Sequence, residues 1–75
     1  MTHLEKLQAL QELAEVAREK RAERTRRVGY YLRMADRFTA AALRARAAGR
    51  RFRHTEQMFW GEARMYLALA QEATR

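Results

Sequence analysis

Apolar and small side chains recur along this chain at alternating spacings of three and four. One set runs Leu7, Ala14, Val28, Ala35, Ala42, Ala63, Ala70; a second, three residues on, runs Leu10, Ala17, Tyr31, Phe38, Ala45, Phe52, Phe59, Tyr66, Ala73. This is a heptad seam, and its many small residues allow helices to approach closely. Leu4, Leu32, Trp60 and Leu67 flank the seam and widen it toward the stripe of a globular bundle. Ala, Leu, Arg, Glu, Gln, Lys and Met, the strong helix formers, dominate. The chain is therefore predicted to be all-α.

Thr2 followed by Glu5 predicts a capping box at the start of the first helix. The seam is interrupted at Arg21, Arg24, Gly49 and Glu56. Gly49, between Ala47-Ala48 and Arg50-Arg51, has the place of a residue that ends a helix, and Thr55 has the place of an N-cap. The pattern predicts a long helical hairpin: a helix over about 3–48, a turn at 49–54, and a helix over about 54–74. A three-helix bundle with a break near Thr25 is the alternative, since Arg21 and Arg24 fall on the seam there. No Gly, Pro or Asn interrupts residues 18–28, which favours the unbroken helix slightly. In the hairpin, the last helix covers only the second half of the first. The stripe of Leu4, Leu7, Leu10 and Leu13 then needs a partner, most simply a second copy. A 75-residue chain is one domain at most, and with a small core and no cysteine it is expected to self-associate as a homodimer.

Charge sharpens this picture. Between residues 26 and 53, nine arginines face a single acid, Asp36, leaving +8. Residues 1–25 balance five bases with five acids, and residues 54–75 carry −1. The whole net charge of +7 thus lies in the middle third. At about 100° per residue, Arg26, Arg33, Arg37 and Arg44 fall within about 40° of one another, opposite the seam. Arg50, Arg51 and Arg53 extend the positive charge around the turn. Guanidinium groups bind phosphate oxygens in pairs and keep their charge, so such a row suits a nucleic-acid backbone. Tyr30, at the edge of the row, is placed to stack on a base or pack on an arginine. A charged face opposite an apolar seam is also what any surface helix has. The unusual feature is the near-absence of compensating acids over twenty-eight residues. An acidic protein surface is the alternative partner, as for a phage- or plasmid-type inhibitor, an adaptor or a co-chaperone.

The missing residue types narrow the chemistry. There is no Ser or Cys, hence no nucleophile of either kind, and no Asn, Pro or Ile. His3 and His54 have no Cys, Asp or Glu at a recognisable ligand spacing. No Gly-rich loop is present to cradle phosphate. The chain is expected to be non-enzymatic, with no metal and no cofactor. Without Asn, and with every Gln outside the basic segment, the usual adenine readers are missing there, so contacts to phosphates are expected rather than base reading. Arg outnumbers Lys by fourteen to two, a composition that suggests a GC-rich bacterial or phage genome. No apolar run approaches the roughly 18 residues of a membrane span, and no signal peptide is visible, so a cytoplasmic location is expected.

Two further residues stand out. Glu62 falls among Met58, Phe59, Met65, Tyr66 and Leu69, which are expected core residues; it is the expected buried carboxylate, paired with an arginine of the preceding helix. Trp60 and Leu67 fall on the other side of the last helix and, with Leu4, Leu7, Leu10 and Leu13, are the expected protein interface.

Overall fold

The computed structural model describes residues 2–75, and among these there is no strand. Helix α1 spans His3–Ala48, a single 3-10 turn spans Arg50–Phe52, and helix α2 spans Arg53–Thr74. The molecule is a rod of 72 × 14 × 10 Å, as a 46-residue helix at about 1.5 Å per residue requires.

Each boundary of α1 has a local cause. The Thr2 hydroxyl accepts a hydrogen bond from the Glu5 backbone at 3.2 Å, and the Glu5 carboxylate accepts one from the Thr2 backbone at 3.2 Å. The predicted capping box is therefore complete. At the other end Gly49 has φ 114° and ψ 179°, a conformation that only glycine adopts without strain. Its N–H reaches back to the Arg46 carbonyl at 3.3 Å.

Helix α1 is unbroken through Thr25. The Thr25 hydroxyl donates to the Arg21 carbonyl at 2.9 Å, so its polar group is satisfied inside the helix and forces no turn. The break of the three-helix alternative is absent. A second correction concerns the start of α2, which begins at Arg53 with Phe52 as an N-cap that makes no side-chain bond. Thr55 lies inside α2, half-buried, and does not cap it. One 3-10 turn is enough to reverse the chain, which leaves no room for a longer loop.

Packing between the helices runs along a line of alanines. Among the described residues, Ala35, Ala42 and Ala45 of α1 and Ala63 and Ala70 of α2 are the buried ones, and no large side chain is fully buried. Aromatic rings fill in beside this line. Phe38 stacks on Tyr66 with centroids 5.7 Å apart and lies 6.0 Å from Phe59, while Tyr31 lies 6.3 Å from Tyr66. Two helices can cover only one strip of each other, so the apolar stripe of each is wider than the contact. Met58 and Met65 accordingly lie outside the core they were expected to join, exposed on one flank of α2.

The two halves of α1 differ sharply. Every residue from Thr2 to Arg27 is exposed, whereas Val28 and the seam positions after it are covered by α2. Helix α2 stops beside Arg24, Arg27 and Tyr31, where Glu72, Ala73 and Arg75 line a surface hollow with them. Beyond that point α1 continues as a free arm.

Candidate functional site

Arg26, Arg33, Arg37 and Arg44 are all exposed on a continuous stretch of α1. From Arg26 to Arg44 the row extends about 27 Å along the helix. Ion pairs among the described residues join only Arg46 to Glu56 and Arg75 to Glu72, so none of the four row arginines is neutralised. The Arg33 guanidinium lies back over Gly29, where an added methyl would sit 3.3 Å from it. A glycine inside this helix thus leaves room for a long side chain to lie along the surface. Tyr30 is exposed beside the row and lines a shallow hollow with Glu23, Arg26, Arg27 and Tyr31. Its ring also meets Tyr31 at 5.8 Å and Tyr66 at 6.4 Å, which fixes its orientation.

The same face of α1 changes sign at its midpoint. By helical spacing, Glu5, Glu12, Glu15, Glu19 and Glu23 lie within about 60° of the direction of the arginine row. One face of one helix is acidic over its first half and basic over its second. Segment totals hide this polarity, because lysines and arginines elsewhere around the arm cancel the acids. Plotting the acids by angle would have shown it.

The turn arginines form a separate patch. Arg50 and Arg53 line a hollow with Arg46, Gly49 and Glu56, on the Arg46 side of α1. Arg46 and Arg44 point about 160° apart, so this hollow does not continue the row. The Arg51 guanidinium sits 4.9 Å over the Phe52 ring and is held there by the ring's negative face.

The expected buried carboxylate is a correction. Glu62 is exposed, at the flank of α2 between Met58 and Met65, because Ala63 and Ala70 take the centre of the contact. The half-buried carboxylate is Glu56, whose side chain is 16% exposed. Three donors converge on its Oε2: Trp60 Nε1 at 2.9 Å, Arg46 Nε at 3.0 Å and an Arg46 terminal nitrogen at 2.9 Å. The indole bond and then the Arg46 bond hold the Glu56 carboxyl below the usual carboxylate range. Arg46 also lies 5.7 Å from the Trp60 ring centroid. These three residues clamp the turn end of the hairpin. The signal was present in the sequence: Glu56 is a seam position four residues before Trp60, and the turn brings it level with Arg46. Tyr66, in the aromatic cluster, is shifted the other way; burial first, then the neighbouring Tyr30 phenol, raises its pKa.

Leu4, Leu7, Leu10 and Leu13 of the arm are 45–66% exposed, as an arm beyond the end of α2 must be. Trp60 is half-buried through the clamp, and Leu67 is exposed. Among the described residues no three His, Asp or Glu side chains gather where a metal ion could sit, and no helix is long and apolar enough to cross a membrane. No protein-family model matches the chain, and no curated protein or solved structure shows significant similarity to it.

Proposed function

We propose that this chain is a non-enzymatic cytoplasmic protein that binds nucleic acid as an accessory or regulatory factor, mainly through backbone phosphates, and works as a homodimer. The observation that carries this reading is the row of Arg26, Arg33, Arg37 and Arg44, exposed on one rigid helix and free of ion pairs among the described residues. Guanidinium groups without partners bind phosphate at no cost in broken ion pairs. Tyr30 at the edge of the row supplies a ring for stacking on an unpaired base. Acids on the same face of the arm repel phosphate, so the footprint is confined to the hairpin half. The four phosphate contacts of the row give a log–log salt slope of about −4 on duplex DNA.

The test is fluorescence anisotropy with labelled duplex DNA, single-stranded DNA and RNA at several salt concentrations. Binding is expected to weaken steeply as salt rises. The double variant Arg33→Glu, Arg37→Glu is expected to abolish it while leaving helicity unchanged. Unaltered affinity in that variant would overturn the reading.

A second reading is favoured by one observation. The row borders an exposed apolar flank, where Tyr30 stands on α1 and Met58, Met65 and Leu69 on α2. A basic row beside an apolar strip also suits an acidic protein surface, as for an inhibitor, adaptor or co-chaperone. A protein captured by this chain after nuclease treatment, and lost in a Met58→Asp, Met65→Asp variant, would support it.

A further inference from the structure

The apolar stripe of the free arm, interrupted at Arg21, continues in the same direction into one flank of the hairpin. By helical spacing, Leu7, Leu10, Ala14, Val28, Leu32 and Leu43 lie within about 60° of one another along α1. All six stand on an unbroken helix, and the four leucines of this set, Leu7, Leu10, Leu32 and Leu43, are 45%, 61%, 45% and 50% exposed. On α2 the same flank is closed by Leu67 and Trp60, and a shallow groove runs between Val28, Leu32, Leu67 and Ala70.

We infer that the arm of one copy docks antiparallel into this groove of a second copy, and the second copy's arm into the groove of the first. The inference rests on the dimer of the reading above, but not on nucleic acid. An arm continuous with its own hairpin does not fold back into the groove, so an arm that fills it comes from a second copy. Lengths agree: the free part of α1 after Thr2, residues 3–27, has 25 residues to lay along the 22 of α2. A single stripe that runs through both halves of one helix is self-complementary when two helices align antiparallel about a two-fold axis. With the axis at the arm–hairpin junction, Leu10 meets Leu43 of its partner, Ala14 meets Thr39, Thr25 meets Val28, and Arg21 lays its aliphatic stem over Leu32.

Exposed area points the same way. An 8.9 kDa globular monomer exposes about 4,800 Å², whereas this chain exposes 6506 Å². The surplus of about 1,700 Å² per copy is surface that pairing can cover, enough for an interface of obligate-dimer size.

The chain has no cysteine, so introduced thiols report contacts cleanly. Chains carrying Leu10→Cys are mixed with chains carrying Leu43→Cys, oxidised mildly, and compared with a mixture of Leu10→Cys and Met58→Cys chains. Within one chain the first pair stands about 50 Å apart on a single helix, so only a second copy can join them. A disulfide between the L10C and L43C chains, with little between L10C and M58C, is the expected result. Predominant L10C–L10C or L10C–M58C linkage in a chain that is dimeric by light scattering would overturn the docking and leave the dimer standing. A monomeric mass at every concentration would overturn both, while the anisotropy titration tests the arginine row independently.

Discussion

The two halves of α1 share one seam and one helical geometry, yet the second half is packed and the first is bare. Ala14 and Ala42 occupy the same heptad position four heptads apart; Ala42 is completely buried, and Ala14 is exposed. Position in the pattern marks where a side chain can be buried, and the reach of α2 decides whether it is. The faces opposite the seam differ as well, glutamates in the arm giving way to arginines in the hairpin half. A helix that changes sign at its midpoint has a direction.

The largest expected effect separates the halves at those two alanines. Ala42→Leu forces extra volume between closely spaced helices and is expected to cost about 1–3 kcal/mol. Ala14→Leu in the monomer should change stability by less than about 0.5 kcal/mol. Urea denaturation of both variants at low concentration checks this, and equal losses would break the contrast.

Next in size is the set of glycines. Gly49→Ala places a side chain at φ 114° and is expected to cost about 1–3 kcal/mol, read as a lowered Tm. Gly61 has nothing within 4 Å of an added methyl, so Gly61→Ala is expected to stabilise α2 by up to about 1 kcal/mol. Gly29→Ala has the same helical gain, partly offset by displacing the flexible end of Arg33.

Acid titration sharpens the picture of the clamp. The Glu56 carboxyl titrates lower in the folded chain than in the unfolded one. Its contribution is therefore complete above the ordinary glutamate value of about 4.3 and is lost as pH falls through the folded value. Thermal stability should decline over that window, with a parallel change in Trp60 fluorescence, and a Glu56→Gln variant should lack both. Tyr66 has the opposite sign, its folded pKa being raised. Its contribution holds below the ordinary tyrosine value of about 10 and is lost as pH climbs through the folded value.

The smallest effect concerns the arm alone. Amides of residues 5–22 should exchange with solvent deuterium faster than those of residues 31–45 in dilute protein, and gain protection as concentration rises. Protection that ignores concentration would mean that the arm holds its helix without a partner.

What the sequence made legible was whatever has a local cause. The capping box at Thr2 and Glu5, the stop at Gly49 and the helix over 3–48 each depend on residues within a few positions of one another. Thr25 left two folds open because a threonine is tolerated inside a helix when its hydroxyl finds a carbonyl. Glu62 was misplaced for a geometric reason: periodicity locates the centre of an apolar stripe, while a two-helix contact uses only part of it. Once the alanines took that part, Met58, Glu62 and Met65 were left at the edge. The arginine row was legible as a row, but the separation of Arg50 and Arg53 from it depended on the turn. Three residues of 3-10 helix send that pair to the far side of α1.

The brevity of that turn also sets the order of assembly. Contacts across the hairpin are nearly mirrored about residues 51–52: Arg46 with Glu56, ten residues apart, then Phe38 with Tyr66, twenty-eight apart. Each new contact therefore lengthens an already closed loop by a few residues instead of closing a large one. A ten-residue loop closes in about 10–100 ns, and chains built from nested local contacts fold in microseconds to milliseconds. Such nesting predicts that the hairpin closes from Gly49 outward, α2 settling on α1 from the level of Arg44 toward that of Arg26.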